Sequence, residues 1–116
     1  MKPKFGEIYL AELKRDGFVQ GGNRPVIVVS NNTANKHSPV IEIIPLTSKC
    51  KSLHLPVHPI IKTDEKNGLL CDSVALAEQV RTVNVGQLLR RIGEASHAVL
   101  VAIGRARAIQ SPLPLD

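Results

Sequence analysis

Residues 21–32 read GGNRPVIVVSNN, and the order of residue types in this stretch decides the fold class. Two glycines and an asparagine deliver Arg24, and Pro25 restricts Arg24 to an extended backbone. Val26, Ile27, Val28 and Val29 follow, a β-branched run suited to a pleated, buried strand. A permanent positive charge therefore stands at the rim of a strand otherwise made for a core. Packing alone does not explain it, because arginine is almost never buried without a partner.

The β pattern continues on both sides of this strand. EIYLAEL, residues 7–13, sets Ile8, Leu10 and Glu12 against Tyr9, Ala11 and Leu13, the alternation of a half-buried strand. KRDGFVQGGN, residues 14–23, is a glycine-bearing connection, and SPVIEIIPLTS, residues 38–48, is a further strand. In LHLPVHPII, residues 53–61, two prolines demote the run to an edge or bulged strand. NGLLCDSVALAEQVRTV, residues 67–83, reads as two strands or one bent strand, entered through the Asn67–Gly68 turn signal.

After Val83 the pattern changes. Asn84 suits the N-cap of a short helix over VGQLLRRIG, residues 85–93, ending at Gly93. In EASHAVLVAIGRARAI, residues 94–109, Ala95, Ala98, Val99, Ala102, Ile103, Ala106 and Ile109 form one helical stripe. SPLPLD, residues 111–116, is a frayed tail. Short strands closed by a terminal helix predict a mainly β (α+β) domain spanning residues 1–116, a small curled β-barrel with the helix packed across it.

Composition narrows the partners. With 43% hydrophobic and 22% charged residues, the chain has the balance of a globular domain. A net charge of +5 and a pI near 9.6 favour polyanions, although the basic residues are scattered. Phe5, Tyr9 and Phe18 are too few aromatics for a broad base-stacking platform. No run approaches the roughly 18 apolar residues of a membrane span. Glu7 interrupts the basic start before any signal-peptide core, so the expected location is the cytoplasm. Cys50 and Cys71 lack metal-ligand spacing and are expected to be reduced thiols.

Standard catalytic motifs are missing: there is no G-x-S-x-G, no phosphate-cradling glycine loop and no HExxH. His54 and His58 would stand about 13 Å apart along a strand, too far to share a metal. With His37 and His97 they are expected to be surface histidines without a role, and no metal or cofactor is expected. Arg24 at one strand start, Thr47 and Ser48 at another strand end, and the polar members of DSVALAEQVRT remain. Such groups gather on one rim of a barrel. The plain alternatives are a salt bridge from Arg24 to Glu7 or Asp72, and a Thr47 hydroxyl bonded to its own backbone.

Taken in order, GEIYLAEL, RPVIVVSNN, IIPLTS, LPVHPII, GLLCDSVALAEQVRTV and LLRRIG resemble the PemK/MazF family of bacterial toxins, from Gly6 to about Ile109. RPVIVVSNN and DSVALAEQVRT are the most specific segments. The resemblance implies an SH3-like barrel with a C-terminal helix, working as a homodimer. It implies sequence-specific, metal-independent cleavage of single-stranded RNA, chiefly messenger RNA, which arrests translation and growth. It also implies a cognate antitoxin whose acidic, flexible C-terminal segment blocks the RNA channel.

By the same resemblance, the catalytic arginine falls on Arg24 and the catalytic threonine on Thr47. Ser48, Gln79, Asp72 and Ser73 would bond bases or backbone, and Arg81 would be a structural or RNA-facing charge. Phe18, Asn31 and Asn32 complete the expected RNA contacts, the two asparagines equally suiting a turn. Asn84-Val85-Gly86 departs from the family's more charged segment, and residues 14–23 form the variable loop that helps select the cleaved sequence. The alternative is a CcdB-like toxin of the same fold that inhibits gyrase without chemistry and needs neither Arg24 nor Thr47.

Overall fold

The computed structural model describes residues 2–14, 21–48, 58–112 and 114. The elements run β1 (Glu7–Leu13), β2 (Gly22–Val28), α1 (Asn32–His37), β3 (Val40–Thr47), β4 (Ile60–Ile61), β5 (Ser73–Ala75), β6 (Arg81–Asn84), β7 (Leu88–Glu94) and α2 (His97–Gln110). Among the described residues the strands form one antiparallel sheet in the order β4-β5-β3-β2-β1-β7, with β6 also on β3. Phe18, Cys50, His54 and most of the 53–61 run lie outside the described residues.

β1 is half-buried as expected: the Tyr9, Ala11 and Leu13 face is buried throughout, while the other face runs from buried Ile8 through half-buried Leu10 to exposed Glu12. Ile8 joins Ile27, Ile44 and Leu46 in a core covered by α2. Tyr9, Ala11 and Leu13 join Val26, Val28 and Ile43 in a second core on the concave side of the sheet. Two register shifts in the β1–β7 pairing mark bulges, which sharpen the twist and curl the sheet into a half-barrel.

The region expected as two strands or one bent strand forms two strands on one edge of β3. β5 pairs with Leu46 and Thr47, and β6 with residues from Val40 to Ile43. Between them a 3-10 turn, Ala77–Gln79, interrupts the ladder opposite Pro45. The Pro45 carbonyl accepts from Leu76 N at 3.0 Å, so its ring nitrogen faces the same interruption. The proline thus sits inside a central strand without removing a ladder bond.

The helix expected over 85–93 is not there. Asn84 does cap, through a reciprocal box with Gln87, but the helix is a single 3-10 turn, Val85–Gln87. Leu88–Glu94 then extends as β7 along β1. Pairing the otherwise open edge of a largely buried strand outweighs the helical preference of QLLRR. An element absent from the sequence reading, α1, starts at Asn31, whose side chain accepts from Ala34 N at 2.9 Å.

Helix α2 is as expected, capped by Ser96. Its stripe is only half used: Ile103 and Ala106 are buried, while Ile109 remains 56% exposed. His58 corrects the expectation of a surface histidine. The Pro59 carbonyl accepts from Ala75 N at 2.9 Å, which tucks His58 under the 3-10 turn, 7% exposed, with Nε2 against Glu78 Oε2. The second polar atoms of the pair, His58 Nδ1 and Glu78 Oε1, are buried without a hydrogen-bond partner among the described residues.

Tyr9 supplies a stability test. Its hydroxyl donates to Glu7 Oε1 at 3.2 Å. Burial, then the charge and hydrogen bond of Glu7, push its phenol up to about 12. A raised folded-state value favours the protonated phenol, so this contribution is complete below about pH 10 and is lost between about pH 10 and 12. Urea midpoints measured from pH 9 to 12 should therefore fall more steeply for the native chain than for Tyr9→Phe.

Candidate active site

Arg24 occupies the third residue of β2, opposite Ala11 of β1. Its Nε donates to the Gly21 carbonyl at 3.0 Å, so the glycine loop that delivers the arginine also orients it. Thr47 ends β3, the next strand over, and Ser48 follows it. Arg24, Thr47, Ser48 and Ser73 line one cleft of about 640 Å³. Its floor is apolar, made by Leu10, Pro25, Leu46, Leu69 and Ile92. Leu10 pairs directly with Pro25, which fixes the row as one face of the pleat.

The far wall comes from two segments that the sequence reading did not assign to a site. One is β7, which brings Arg90 opposite Leu10. The other is the excursion between β4 and β5, which contributes Gly68, Leu70 and Cys71. Asn67–Gly68 is therefore not a tight hairpin but the hinge of this excursion. Asn67 is fully buried, donating from Nδ2 to the Lys62 carbonyl at 2.8 Å and accepting from Leu69 N at 3.0 Å. Gly68 has φ +69, and a Cβ there would lie 1.9 Å from the Ile92 carbonyl oxygen. On β7, a Cβ at Gly93 would lie 2.3 Å from the Asn67 backbone carbon. The two glycines let the excursion lie directly on β7.

Charge in this region is one-sided. None of the described residues lining the cleft is acidic. Glu7, one expected partner for Arg24, is taken by Arg91 Nε at 2.6 Å, and this bond raises the Arg91 guanidinium above the usual arginine range. Arg81, on β6, donates to the Lys14 carbonyl at 3.0 Å. Burial and then the charge of Arg24 hold Arg81 below the usual arginine range. The mutual repulsion of these two guanidiniums favours an anion nearby.

The other expected site residues divide. Ser73 is buried in the cleft wall and donates from Oγ to the Cys71 carbonyl at 3.0 Å. Asp72 Oδ1 accepts from Thr63 N at 2.8 Å, holding the two ends of the excursion together. Gln79 lies in the 3-10 turn, outside the cleft lining. Asn31 and Asn32 stand beyond the opposite end of β2; Asn31 caps α1 and Asn32 Oδ1 accepts from Phe5 N at 2.7 Å. Phe18 lies outside the described residues, and Cys71 is an exposed free thiol.

With the cleft described, comparison with known proteins identifies the chain. Residues 4–110 match the family model described as the PemK-like, MazF-like toxin of type II toxin–antitoxin systems. The chain belongs to this family. One relative, the endoribonuclease MazF of Staphylococcus saprophyticus, is 33% identical over 108 residues, covering 85% of this chain and 89% of the relative. MazF from Deinococcus radiodurans superposes with a TM-score of 0.83 at 22% identity, over 97% of this chain and 99% of that one. A mycobacterial endoribonuclease in complex with its cognate antitoxin superposes at 0.78 and 24%, over 98% and 99%. The curled sheet with a C-terminal helix is thus the MazF fold.

In this MazF-like toxin the glycine contact between the 62–72 excursion and β7 should govern the far wall. Gly93→Ala should cost about 2–3 kcal/mol through overpacking against backbone, read by urea denaturation. Gly104→Ala, in a part of α2 with open space around the added methyl, should instead stabilise by about 0.5–1 kcal/mol.

Proposed function

We propose that the cleft is the RNA-cleaving centre of a type II toxin, with Arg24 and Thr47 as its catalytic pair. The observation that carries this reading is the meeting of Arg24, Thr47 and Ser48 on one basic cleft with no acid among its described lining, in a chain of this family. The endoribonuclease activity of the 33%-identical relative supports it. The substrate would be single-stranded RNA, and residues 1–116 would act as one toxin domain.

The reaction is transesterification. The 2′-hydroxyl oxygen attacks the adjacent phosphorus, the bond from phosphorus to the 5′ oxygen breaks, and the products are a 2′,3′-cyclic phosphate and a 5′-hydroxyl. The proton leaving the 2′ oxygen is balanced by one gained at the 5′ oxygen. Negative charge grows on the phosphoryl oxygens as the new bond forms. A guanidinium already oriented by the Gly21 carbonyl meets that charge with paired N–H donors. Thr47 adds a hydroxyl donor from the neighbouring strand. Free arginine holds its proton up to a pKa above 12, so Arg24 serves as transition-state stabiliser or proton donor rather than base.

Ser48 and Ser73 would bond the RNA beside the scissile phosphate, with Asp72, Gln79, Arg81 and the variable-loop Phe18 contributing nearby. Asn31 and Asn32 would act through the cap of α1. A homodimer would cover the apolar residues that α2 and β4 leave exposed, Ile109 and Ile60 among them. An acidic antitoxin segment would compete for the same basic surface. No described helix is long and apolar enough to cross a membrane, in keeping with action on RNA in the cytoplasm. A gyrase inhibitor of the same fold would have no use for the assembled Arg24–Thr47 pair.

The test is incubation of the full chain with a long single-stranded RNA in EDTA, followed by mapping of the cut ends. Cleavage leaving 5′-hydroxyl ends is expected, and intact RNA would refute the reading. Arg24→Ala and Thr47→Ala should each lower the rate at least ~100-fold, as for loss of a preorganised charge-stabilising donor. Thr47→Ser should retain part of it. His37→Gln and His97→Gln should leave cleavage within about tenfold, short of the loss of a general acid or base.

A further inference from the structure

We propose that Arg90 is a second phosphate anchor, holding the RNA backbone one nucleotide away from the phosphate at Arg24, with the intervening base on the apolar floor. This rests on reading the cleft as the RNA-cleaving centre and adds to it a residue of β7.

The two charges stand on the strands that flank β1. Leu10 pairs with Pro25 on one side and with Arg90 on the other. Strands lie about 4.8 Å apart, so the flanks of the floor are separated by roughly 10 Å. Arg24, on β2, and Arg90, on β7, both line the cleft, with β1 between their strands. Arg91, one residue later, also lines the cleft, but Glu7 and Glu94 take its guanidinium at 2.6 and 3.5 Å. Arg90 is exposed and makes no ion pair among the described residues.

Two adjacent arginines on one strand are thus used differently. One neutralises carboxylates and fixes the β1–β7 edge. The other presents a guanidinium to a cleft whose described lining holds no acid. A guanidinium in that position suits a phosphate through paired, charge-assisted bonds. Leu10, on β1, lies between the two charged strands, Pro25 and Leu46 extend the apolar floor beyond it, and Leu70, fully exposed, stands at its edge. Charge, apolar surface and charge in sequence match phosphate, base and phosphate. An acidic peptide would satisfy the charges but leave the floor unused.

Arg90→Gln and Arg90→Lys test the anchor, with Arg105→Gln on the exposed side of α2 as control. Each full-length variant is assayed two ways in EDTA. Steady-state cleavage of a single-stranded transcript gives kcat and KM. Anisotropy with a fluorescent, fully 2′-O-methylated RNA gives binding without chemistry. Arg90→Gln should raise KM about tenfold with kcat within about twofold, weaken binding alike, and reduce the salt slope by about one. Arg90→Lys should restore most of the binding and the slope, and Arg105→Gln should change neither. Unaltered KM and salt slope in Arg90→Gln would overturn the proposal. So would a fall in kcat alone, or a loss confined to competing polyglutamate. A native chain that binds the methylated RNA through Arg90 but cuts no transcript would refute the cleavage reading while upholding the anchor.

Discussion

Strand β1 is the constraint on which the rest of the molecule depends. Both its edges are hydrogen-bonded, to β2 and to β7. One face is buried along its length by Tyr9, Ala11 and Leu13, and the other carries Ile8 into the helix-covered core. A strand so enclosed cannot slip by one residue without exchanging its two sets of side chains. Its register therefore fixes, in one step, where Pro25 and Arg90 stand relative to Leu10. The cleft floor is a direct readout of that register.

Much of the fold was legible because the informative residues act locally. Pro25 and the β-branched run specify β2, the alternation of residues 7–13 specifies β1, and the three- and four-residue apolar spacing of residues 95–109 specifies α2. Residues 85–93 were misread for a physical reason. Asn84 and Gln87 form a true capping box, and Leu, Arg and Gln favour helix, so every local signal agreed. The deciding term is a backbone partner roughly eighty positions earlier, which a window of neighbouring residues does not contain. The same blindness hid His58, whose burial follows from where β5 lies.

The site was legible to a different extent. Arg24, Thr47, Ser48 and Ser73 do converge, because each sits at a strand terminus and strand termini share a rim. Asn31 and Asn32 were drawn in by adjacency to a specific motif, yet seven residues of strand put them at the other end. Arg90 was missed as a direct result of the helix misreading: on a helix it would have been a solvent charge, while on β7 it faces Leu10. Wall residues from the 62–72 excursion were missed because Asn67–Gly68 signals a tight turn. Its actual role depends on tertiary contact with Gly93.

The pairing of residues 7–13 with residues 88–94 also orders events during biosynthesis. Translation delivers Arg24 and Thr47 early, but the strand that completes the floor and its far wall comes from the last quarter of the chain. Until Leu88–Glu94 leave the ribosome, β1 lacks a partner on one edge and the helix-covered core lacks its lid. Long-range pairing of this kind is slow to form and cannot precede the synthesis of its second strand. For a toxin, such an architecture delays competence until residues 88–94 have been made.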